Sequence, residues 1–248
     1  MKDKQPIGYP KGISRKDKMH VRNMVNQVRD FTKDSHLSTF WKGRTVVVSC
    51  SSGIDSTCLA DIMYRVWRIA GNNPVHVVYV NHNLRPAENK VEIELLEKFS
   101  KERDLKFSVL DGKVSKGKNL QDRARQIRYE ALSSFCQANG YNHVFIAHNK
   151  NDVYEGMMIK LFQGRVDKQN GVRIVYGLRP RHITSYKGFT LYIYRPLLDL
   201  TREDVERYMR TMDIPWHEDS SNATDAYLRN YIRHHVIPHT FLGNNQNG

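Results

Sequence analysis

The chain has 248 residues, of which 40% are hydrophobic, and its 39 Lys and Arg residues outnumber 26 Asp and Glu residues, for a net charge of +13 at pH 7. This is the composition of a globular protein with a sizeable core, and the charge favours a polyanionic partner over a basic protein with no nucleic-acid role. No apolar run is long enough to cross a bilayer, the N-terminus lacks the apolar segment of a secretory signal, and the three cysteines form no C-x-x-C pair, so we expect a cytoplasmic protein with no membrane partner.

The N-terminal segment is polar and rich in Lys, Gly and Pro over residues 1–20. This composition predicts a mobile basic arm, with an organelle transit peptide as the weaker interpretation. The apolar spacing over residues 21–31 is that of a short helix. The basic side chains expected to add non-specific RNA affinity are Lys11, Arg15, Lys16, Lys18 and Arg22.

A repeated strand and helix pattern follows. The run TVVVSC at residues 45–50 is continuous and β-branched, which is typical of a strand buried on both faces. Further strands are predicted at residues 74–82, 106–111 and 143–148, and helices at residues 56–69, 87–104, 119–140 and 151–164. Four alternations at these lengths predict an α/β protein with a doubly wound parallel sheet. In such sheets ligands bind outside the carboxyl ends of the strands, where segments 49–56 and 148–152 would both lie.

The alternation fades after Gly164. Residues 165–190 have no clear period and predict a long loop or hairpin, followed by a short strand at residues 191–194. A helix is expected to begin after Thr201, whose hydroxyl can cap it, and a basic helix is expected over residues 227–237. We therefore divide the chain into an arm and short helix (1–40), an α/β domain (41–198) and a small helical extension (199–248).

The segment SCSSGIDS at residues 49–56 lies between a buried strand and a helix. Small residues allow the backbone to approach phosphate oxygens, and the unpaired N–H groups of the following helix favour an anion. A carboxylate at Asp55 would repel phosphates unless a Mg²⁺ ion lies between them. The alternative is an ordinary turn in which Asp55 and Ser56 cap a helix, and the loop alone leaves both interpretations open.

The loop resembles the S-G-G-x-D-S signature of the pyrophosphatase-loop (PP-loop) ATP enzymes, with Ser52 at the first glycine. It is not a Walker A loop, because no Gly-Lys-Ser/Thr follows. Enzymes of this type split ATP between the α and β phosphates and transfer AMP to an oxygen. A serine at this position would be strained if the backbone there requires a positive φ.

Five further segments, in the same order, resemble the tRNA(Ile)-lysidine synthetase family across about residues 45–240. They are VNHNLR (80–85), NLQDRARQIRY (119–129), AHNKNDVYEG (147–156), RPLLDLTREDVERYM (195–209) and WHEDSSNATDAYLRNYIRHHVIP (216–238). The resemblance implies an adenine nucleotide alpha hydrolase-like fold, in a minimal form without the C-terminal domains of longer members. It also implies that ATP adenylates the C2 oxygen of the wobble cytidine in a CAU-anticodon tRNA(Ile), and that the ε-amine of free lysine then displaces AMP.

The resemblance assigns expected roles to individual residues. The residues expected to bind ATP are Ser49, Ser51, Ser52, Gly53, Asp55 and Ser56. The catalytic candidates are Asp55, Asp152, Glu155 and His148, with Asp55 and Asp152 as ligands of Mg²⁺. The tRNA-binding candidates are Arg85, Arg125, Arg128, Arg195, Arg229, Asn230 and Arg233. The aromatic residues that could stack on unpaired anticodon bases are Trp216, Tyr227 and Tyr231.

Structural interpretations of the same residues stay open. The acids at residues 152 and 155 fit the first turn of a helix, the imidazole at residue 148 fits a packed strand end, the arginines fit solvated helix faces, and the aromatics fit a core. The sequence also departs from the family pattern, because Asn149 replaces a histidine, Asn151 an aspartate and Gly156 a threonine. An asparagine still offers a carbonyl oxygen to a metal but no charge.

Three functions are therefore compatible with the sequence: an active lysidine synthetase, a tRNA-binding relative with weakened catalysis, or a related tRNA modifier with another nucleophile, such as a thiolase. The absence of a C-x-x-C pair argues against the thiolase. The joint presence of Asp55, Asp152 and Glu155 favours activity.

Overall fold

A computed structural model of the chain describes residues 8–33, 43–70, 74–114, 120–165, 167–169, 172–175, 177–218, 224–225 and 228–239. The helices are α1 (Arg15–Lys33), α2 (Ile54–Ala70), α3 (Pro86–Glu102), α4 (Leu120–Asn139), α5 (Lys150–Phe162), α6 (Arg202–Thr211) and α7 (Leu228–Tyr231). Helix α7 continues into a π-helical turn (Ile232–Val236) and a 3-10 turn (Ile237–His239). The strands are β1 (Val46–Ser49), β2 (Val75–Asn81), β3 (Lys106–Asp111), β4 (His143–Ile146), β5 (Asp167–Gln169), β6 (Val172–Ile174), β7 (Arg181–Tyr186) and β8 (Phe189–Tyr194).

The main sheet has six strands in the order β3-β2-β1-β4-β8-β7. All neighbours pair in parallel except β7 and β8, which form an antiparallel hairpin. The predicted α/β class with a doubly wound parallel sheet is therefore confirmed. The chain order of the strands reverses between β1 and β4, and at this kind of position the connections after the two strands diverge and leave a crevice. Ser49 lies opposite both Val78 and Ile146, so the segments after β1 and β4 begin at the same edge of the sheet.

The core lies on both faces of the sheet, as the unbroken apolar run of β1 predicts. Val46 and Val48 pack on one face with buried residues of α1, α2, α3 and α6. Val47 packs on the other face with buried residues of α4. Alternate residues of one strand thus anchor the two layers of helices, and α2 is held directly behind the loop that precedes it.

The N-terminal prediction was wrong in part. A mobile arm was expected up to residue 20, but α1 begins at Arg15 and buries Val21, Met24, Val25 and Val28. The helix starts early because Ser14 caps it: the Ser14 side chain accepts from the backbone N–H of Asp17 at 3.1 Å. The basic side chains of this region stay exposed on its outer face. Residues 1–7 lie outside the described part of the chain.

Between residues 165 and 190 the structure contains more strand than was predicted. Here β5 pairs with β6, and β7 is an edge strand that pairs with β8. Lys187 and Gly188, both with positive φ, connect β7 to β8 in the geometry that favours tight hairpins. Strand β7 was missed because most of its residues are exposed and no apolar alternation marks it.

Helix α6 begins after Thr201, as expected. The Thr201 hydroxyl oxygen accepts from the backbone N–H of Asp204 at 3.2 Å, and the Asp204 carboxylate accepts from the N–H of Thr201 in return. Helix α6 packs on α1 and α2, while the division of the chain at residues 40 and 198 stays a prediction. Within the described ranges, no helix combines the length and the apolar composition that a membrane crossing requires.

Candidate nucleotide and catalytic site

The loop between β1 and α2 is closed by side chains of the first turn of the helix. The backbone N–H of Ser51 donates to Ser56 Oγ at 3.1 Å, and the Ser56 hydroxyl donates to the Gly53 carbonyl at 3.0 Å. The Thr57 hydroxyl donates to the Ser52 carbonyl at 3.1 Å. The loop is thus held as a compact turn whose remaining backbone N–H groups lie at the positive end of a 17-residue helix. Such a turn offers a binding site for an anion.

Ser52 is strained within this loop. Its φ is +62°, a left-handed conformation that favours glycine, and its fully buried hydroxyl has no hydrogen-bond partner. The Ser52 carbonyl also accepts from the backbone N–H of His217 at 3.0 Å. The segment that contains His217 therefore contacts the loop and stabilises the strained conformation of Ser52.

Asp55 is at the centre of the site. Its Oδ2 lies 2.6 Å from Nη1 of Arg202, and its Oδ1 accepts from the Asn149 side-chain amide at 2.9 Å. Burial raises the pKa of Asp55, and the nearby carboxylate of Asp152 raises it further, while Arg202 opposes both effects. The carboxylates of Asp55 and Asp152, which come from two different segments, therefore lie close enough to repel each other.

The first turn of α5 explains the two asparagines that depart from the family pattern. Asn149 is buried and caps α5 in a reciprocal box: its Oδ1 accepts from the N–H of Asp152 at 3.1 Å, and Asp152 Oδ2 accepts from the N–H of Asn149 at 2.9 Å. Asn151 Oδ1 accepts from the backbone N–H of Arg202 at 3.1 Å, which ties α5 to α6. The carbonyl oxygen of Asn151 therefore has a structural partner and is not a free metal ligand.

The structure places Glu155, Arg229 and Arg233 in one ion-pair cluster. Glu155 was expected to bind metal or orient lysine, but it is fully buried and accepts from Arg229 Nε at 2.8 Å and from Arg233 Nε at 2.7 Å. The two arginines were expected to meet the tRNA backbone, but their guanidinium groups are directed at this carboxylate because an unpaired buried charge would be costly. About a third of each arginine side chain stays exposed, 35% and 37%. This cluster fastens the C-terminal segment to α5.

His148, which is half-buried, and the buried Arg195 form a second pair. Arg195 was expected on the tRNA side, but only 3% of it is exposed, and its Nε donates to His148 Nδ1 at 3.0 Å. Burial, together with the charge of Arg195 and of nearby arginines, lowers the pKa of His148 to about 3. The imidazole is therefore neutral at physiological pH, and a proton already occupies its Nε2.

Asn230 and Arg128 are also less available to RNA than expected. Asn230 is buried, and its amide donates to the Thr224 carbonyl at 2.7 Å, so its contact is structural. Burial lowers the pKa of Arg128, with the charge of Arg125 acting in the same direction.

Four of the other predicted RNA contacts are described by the structure. Arg125 is exposed and lies over the ring of Tyr129 at 5.2 Å, and Arg85 pairs with Glu88 at 3.0 Å. Trp216 packs against the core and Tyr231 is half exposed, with its ring 4.8 Å from that of His235. Tyr227 lies outside the described residues. Of the predicted aromatic contacts that the structure describes, Tyr231 is thus the better placed to stack on a base.

Sequence reasoning missed Arg202. It belongs to the segment RPLLDLTREDVERYM, which was identified only by its resemblance, and its position after the cap of α6 directs it back to Asp55. The sequence feature that could have identified Arg202 is its position directly after Thr201, the predicted helix cap. A separate exposed cluster consists of Asp225, His234 and His235. The Asp225 carboxylate accepts hydrogen bonds at 2.7 Å from both histidines, so the three side chains satisfy one another.

The fold and the loop define a nucleotide-binding α/β domain with its anion site after the central strand. Over residues 20–240 the sequence matches the ATP-binding PP-loop domain, and the chain belongs to this family.

Similar curated proteins include tRNA(Ile)-lysidine synthases. The chain is 30% identical over 203 residues to the enzyme of Caldanaerobacter subterraneus subsp. tengcongensis, covering 80% of this chain and 40% of the relative. It is 33% identical over 192 residues to that of a Wolbachia endosymbiont of Brugia malayi, covering 76% of this chain and 42% of the relative. The chain thus spans about two fifths of the length of these relatives.

A solved structure supports the fold independently. The U34-tRNA thiolase of Methanococcus maripaludis aligns with a TM-score of 0.66 at 16% identity, covering 89% of this chain and 76% of the thiolase chain. At this identity the likeness extends to the fold alone.

Proposed function

We propose that the chain ligates lysine to C2 of the wobble cytidine of a CAU-anticodon tRNA(Ile), through an adenylated tRNA intermediate and with release of AMP and pyrophosphate. The observation that carries the proposal is the meeting of Asp55 and Asp152 beside the PP-loop, joined through the side chain of Asn149. The names of the relatives agree with it. We further propose that the enzyme is cytoplasmic and acts on RNA, in agreement with the names of these relatives.

The nucleotide half of the reaction is supported by the loop. The N-terminal end of α2 can meet the phosphates of ATP, with the exposed Ser51 hydroxyl as a further donor. Ser56 contributes through the shape of the loop, because its hydroxyl donates to Gly53. Arg202 adds a cation at this position, since it reaches Asp55 from α6. Backbone dipoles and a guanidinium together favour binding of a triphosphate.

The donor set of the site suits a divalent cation, because Asp55 and Asp152 present two carboxylates whose mutual repulsion such an ion would remove. We propose these two residues as its holders, with the ion taking the place of the Asp55–Arg202 contact. A bound Mg²⁺ would supply charge neutralisation for the departing pyrophosphate. Glu155 is not included, because its charge is already matched by two arginines.

The lysine half of the reaction requires a carboxylate that can receive an ammonium group. Among the residues that the structure describes, Asp152 fits this role, because part of its side chain is exposed and its ion-pair partner Arg229 is 3.6 Å away. The proton must leave the amine before it attacks, since only the neutral amine is a nucleophile. His148 does not fit as the acceptor, since its Nδ1 already accepts from Arg195.

The RNA half of the reaction is supported by exposed basic side chains. We propose that the outer face of α1 and Arg125 on α4 contact the tRNA backbone, together with the exposed parts of Arg229 and Arg233. Arg85 is a further candidate because a third of its side chain is exposed. Since these contacts are to phosphate, we expect tRNA binding to weaken with salt.

The experiment that tests the function is incorporation of labelled lysine into a CAU-anticodon tRNA(Ile) with ATP and Mg²⁺. We expect incorporation that requires both, with one AMP formed per lysine attached. Asp55→Asn and Asp152→Asn should each lower the rate by at least about 100-fold while tRNA affinity is retained. Asp122→Asn, an exposed aspartate on α4, is the matched control.

A second candidate is a tRNA-binding relative with weakened catalysis. The strain at Ser52 and the pairing of the buried Glu155 carboxylate with two arginines favour this weakened relative over a thiolase. It predicts tight and salt-sensitive tRNA binding with no lysine incorporation and no AMP formation. Lysine-independent AMP formation would instead indicate another nucleophile.

A further inference from the structure

Arg195 is fixed at its position by three contacts. Its backbone N–H donates to the Pro180 carbonyl at 2.8 Å, and its Nη1 donates to the Arg179 carbonyl at 2.9 Å. Its Nε donates to His148 Nδ1 at 3.0 Å. The residue directly follows β8, the strand that pairs with β4, and His148 lies just beyond the end of β4. A buried guanidinium that is anchored at both ends leaves the imidazole little freedom to turn.

A guanidinium group donates hydrogen bonds and has no acceptor atom. His148 Nδ1 must therefore present its lone pair to Arg195, and the single proton of the neutral ring must be on Nε2. A second proton on Nδ1 would break this bond and place two cations in contact. Further positive charge faces the ring from Arg125 and Arg128 on α4 and from Arg229 on α7, which also disfavours an imidazolium.

We propose that Arg195 is a positioning residue that holds His148 as a neutral Nε2–H donor. The inference rests on the proposed function in one respect: the acceptor would be an oxygen that gains negative charge as AMP is transferred or released. Such a donor stabilises the oxygen without moving a proton. His148 would then act by hydrogen bonding in the reaction and not as a general base.

This assignment makes a prediction that does not depend on catalysis. In nitrogen NMR spectra of the purified chain labelled at histidine, the His148 signals can be identified by their loss in His148→Gln. We expect Nδ1 to have the shift of an unprotonated nitrogen and Nε2 that of a protonated one, with no titration between about pH 5 and 8. A protonated Nδ1, or titration of His148 within that range, would overturn the proposal.

The role of Arg195 is tested with Arg195→Met, and Arg181→Met on the adjacent strand β7 is the matched control. We expect His148 in Arg195→Met to become a mixture of tautomers, because Nδ1 then no longer faces a fixed donor. In the control, the tautomer of His148 should be unchanged. If Arg195→Met does not fold, Arg195→Gln tests the same point, because the glutamine amide offers an acceptor as well as donors and so no longer requires a lone pair on Nδ1. An unchanged tautomer in a folded Arg195 variant would contradict the positioning role.

Kinetics separate this proposal from the proposed function. For an active wild-type enzyme, the pH profile of kcat should show no ionisation attributable to His148 between about pH 5 and 8. Arg195→Met should lower kcat by about 10-fold or more, because the Nε2–H donor is no longer held in position. A chain that shows the expected tautomer but no lysine incorporation would refute the proposed function and leave the Arg195–His148 assignment intact. A base-like pH profile in wild type would refute the assignment and leave the function intact.

Discussion

Replacing Ser52 by glycine should stabilise the protein. A side chain at a left-handed position costs about 1–2 kcal/mol relative to glycine, and a buried hydroxyl without a partner costs about 1–3 kcal/mol. Both apply to Ser52, with its φ of +62° and its unpartnered Oγ. The greater freedom of glycine in the unfolded chain offsets about 0.5–1 kcal/mol. We therefore expect Ser52→Gly to raise the free energy of unfolding by about 2 kcal/mol.

The two contributions can be separated with Ser52→Ala, which removes the hydroxyl but keeps the Cβ and its backbone strain. We expect the alanine variant to gain about 1 kcal/mol from the lost hydroxyl and the glycine variant to gain about 0.5–1 kcal/mol more from the backbone. Urea unfolding at 25 °C followed by circular dichroism measures both values. Thermal unfolding should agree, with about 2–4 °C for each kcal/mol in a chain of this size.

Two results would refute this reasoning. A Ser52→Gly variant no more stable than Ser52→Ala would mean that the backbone at this position is not strained. A loss of stability in Ser52→Ala would mean that the hydroxyl has a favourable interaction in the folded protein. ATP affinity should be retained in both variants, because the backbone N–H groups that face an anion are unchanged.

Three further changes have defined outcomes. Tyr208→Phe should destabilise the chain by about 1.5–3 kcal/mol in urea at pH 7, because the Tyr208 hydroxyl donates to the buried carboxylate of Asp61 at 2.7 Å. Burial acts to raise the pKa of Asp61, but two adjacent arginines lower it overall. The charge of Asp61, and with it the effect of the mutation, should therefore be lost as the pH falls through that lowered pKa. Gly112→Ala should destabilise by about 1–3 kcal/mol, because a Cβ there would lie 2.4 Å from Val80 Cγ1. Glu155→Gln should destabilise by about 2 kcal/mol and speed proteolysis of the C-terminal segment, because two partly exposed arginines lose their carboxylate.

Matched controls exist for each of these variants. Tyr186→Phe changes a tyrosine on the edge strand β7, and Gly156→Ala places a Cβ where no atom lies within 4 Å. Glu94→Gln removes a charge from an exposed position on α3. We expect changes within about 0.5 kcal/mol at Tyr186 and Glu94 and a small gain from the helical alanine at residue 156. Equal effects in a variant and its control would remove the stated cause.

The fold was predictable because hydrophobic patterns record burial. The unbroken apolar runs of β1 and β4 required a sheet covered on both faces, and the intervening helices made it parallel. The early start of α1 and the edge strand β7 were not predictable in this way. The first depends on a single side-chain cap at Ser14, and the second exposes most of its residues.

The candidate site was predictable in position but not in its pairings. Sequence placed the loop and the α5 segment at one edge of the sheet, and the structure brings Asp55 and Asp152 together there. The sequence did not indicate which arginines are buried. Arg195 and Arg125 carry the same charge, but one is enclosed against His148 and the other is exposed over Tyr129. Only tertiary contacts distinguish an arginine that organises a site from one that faces solvent.

The two asparagines show why a departure from a family pattern need not mean decay. At residue 149 the amide accepts from the N–H of Asp152 and donates to Asp55, and only a side chain with both a donor and an acceptor can do this. A carboxylate there would cap α5 equally well but would repel Asp55, whose pKa burial and Asp152 already raise. A neutral asparagine at residue 151 likewise holds the first N–H of α6 without adding a further negative charge beside these acids. The asparagine at residue 151 therefore removes one carboxylate from the family pattern, and both asparagines make hydrogen bonds that shape the site, which is consistent with a working site.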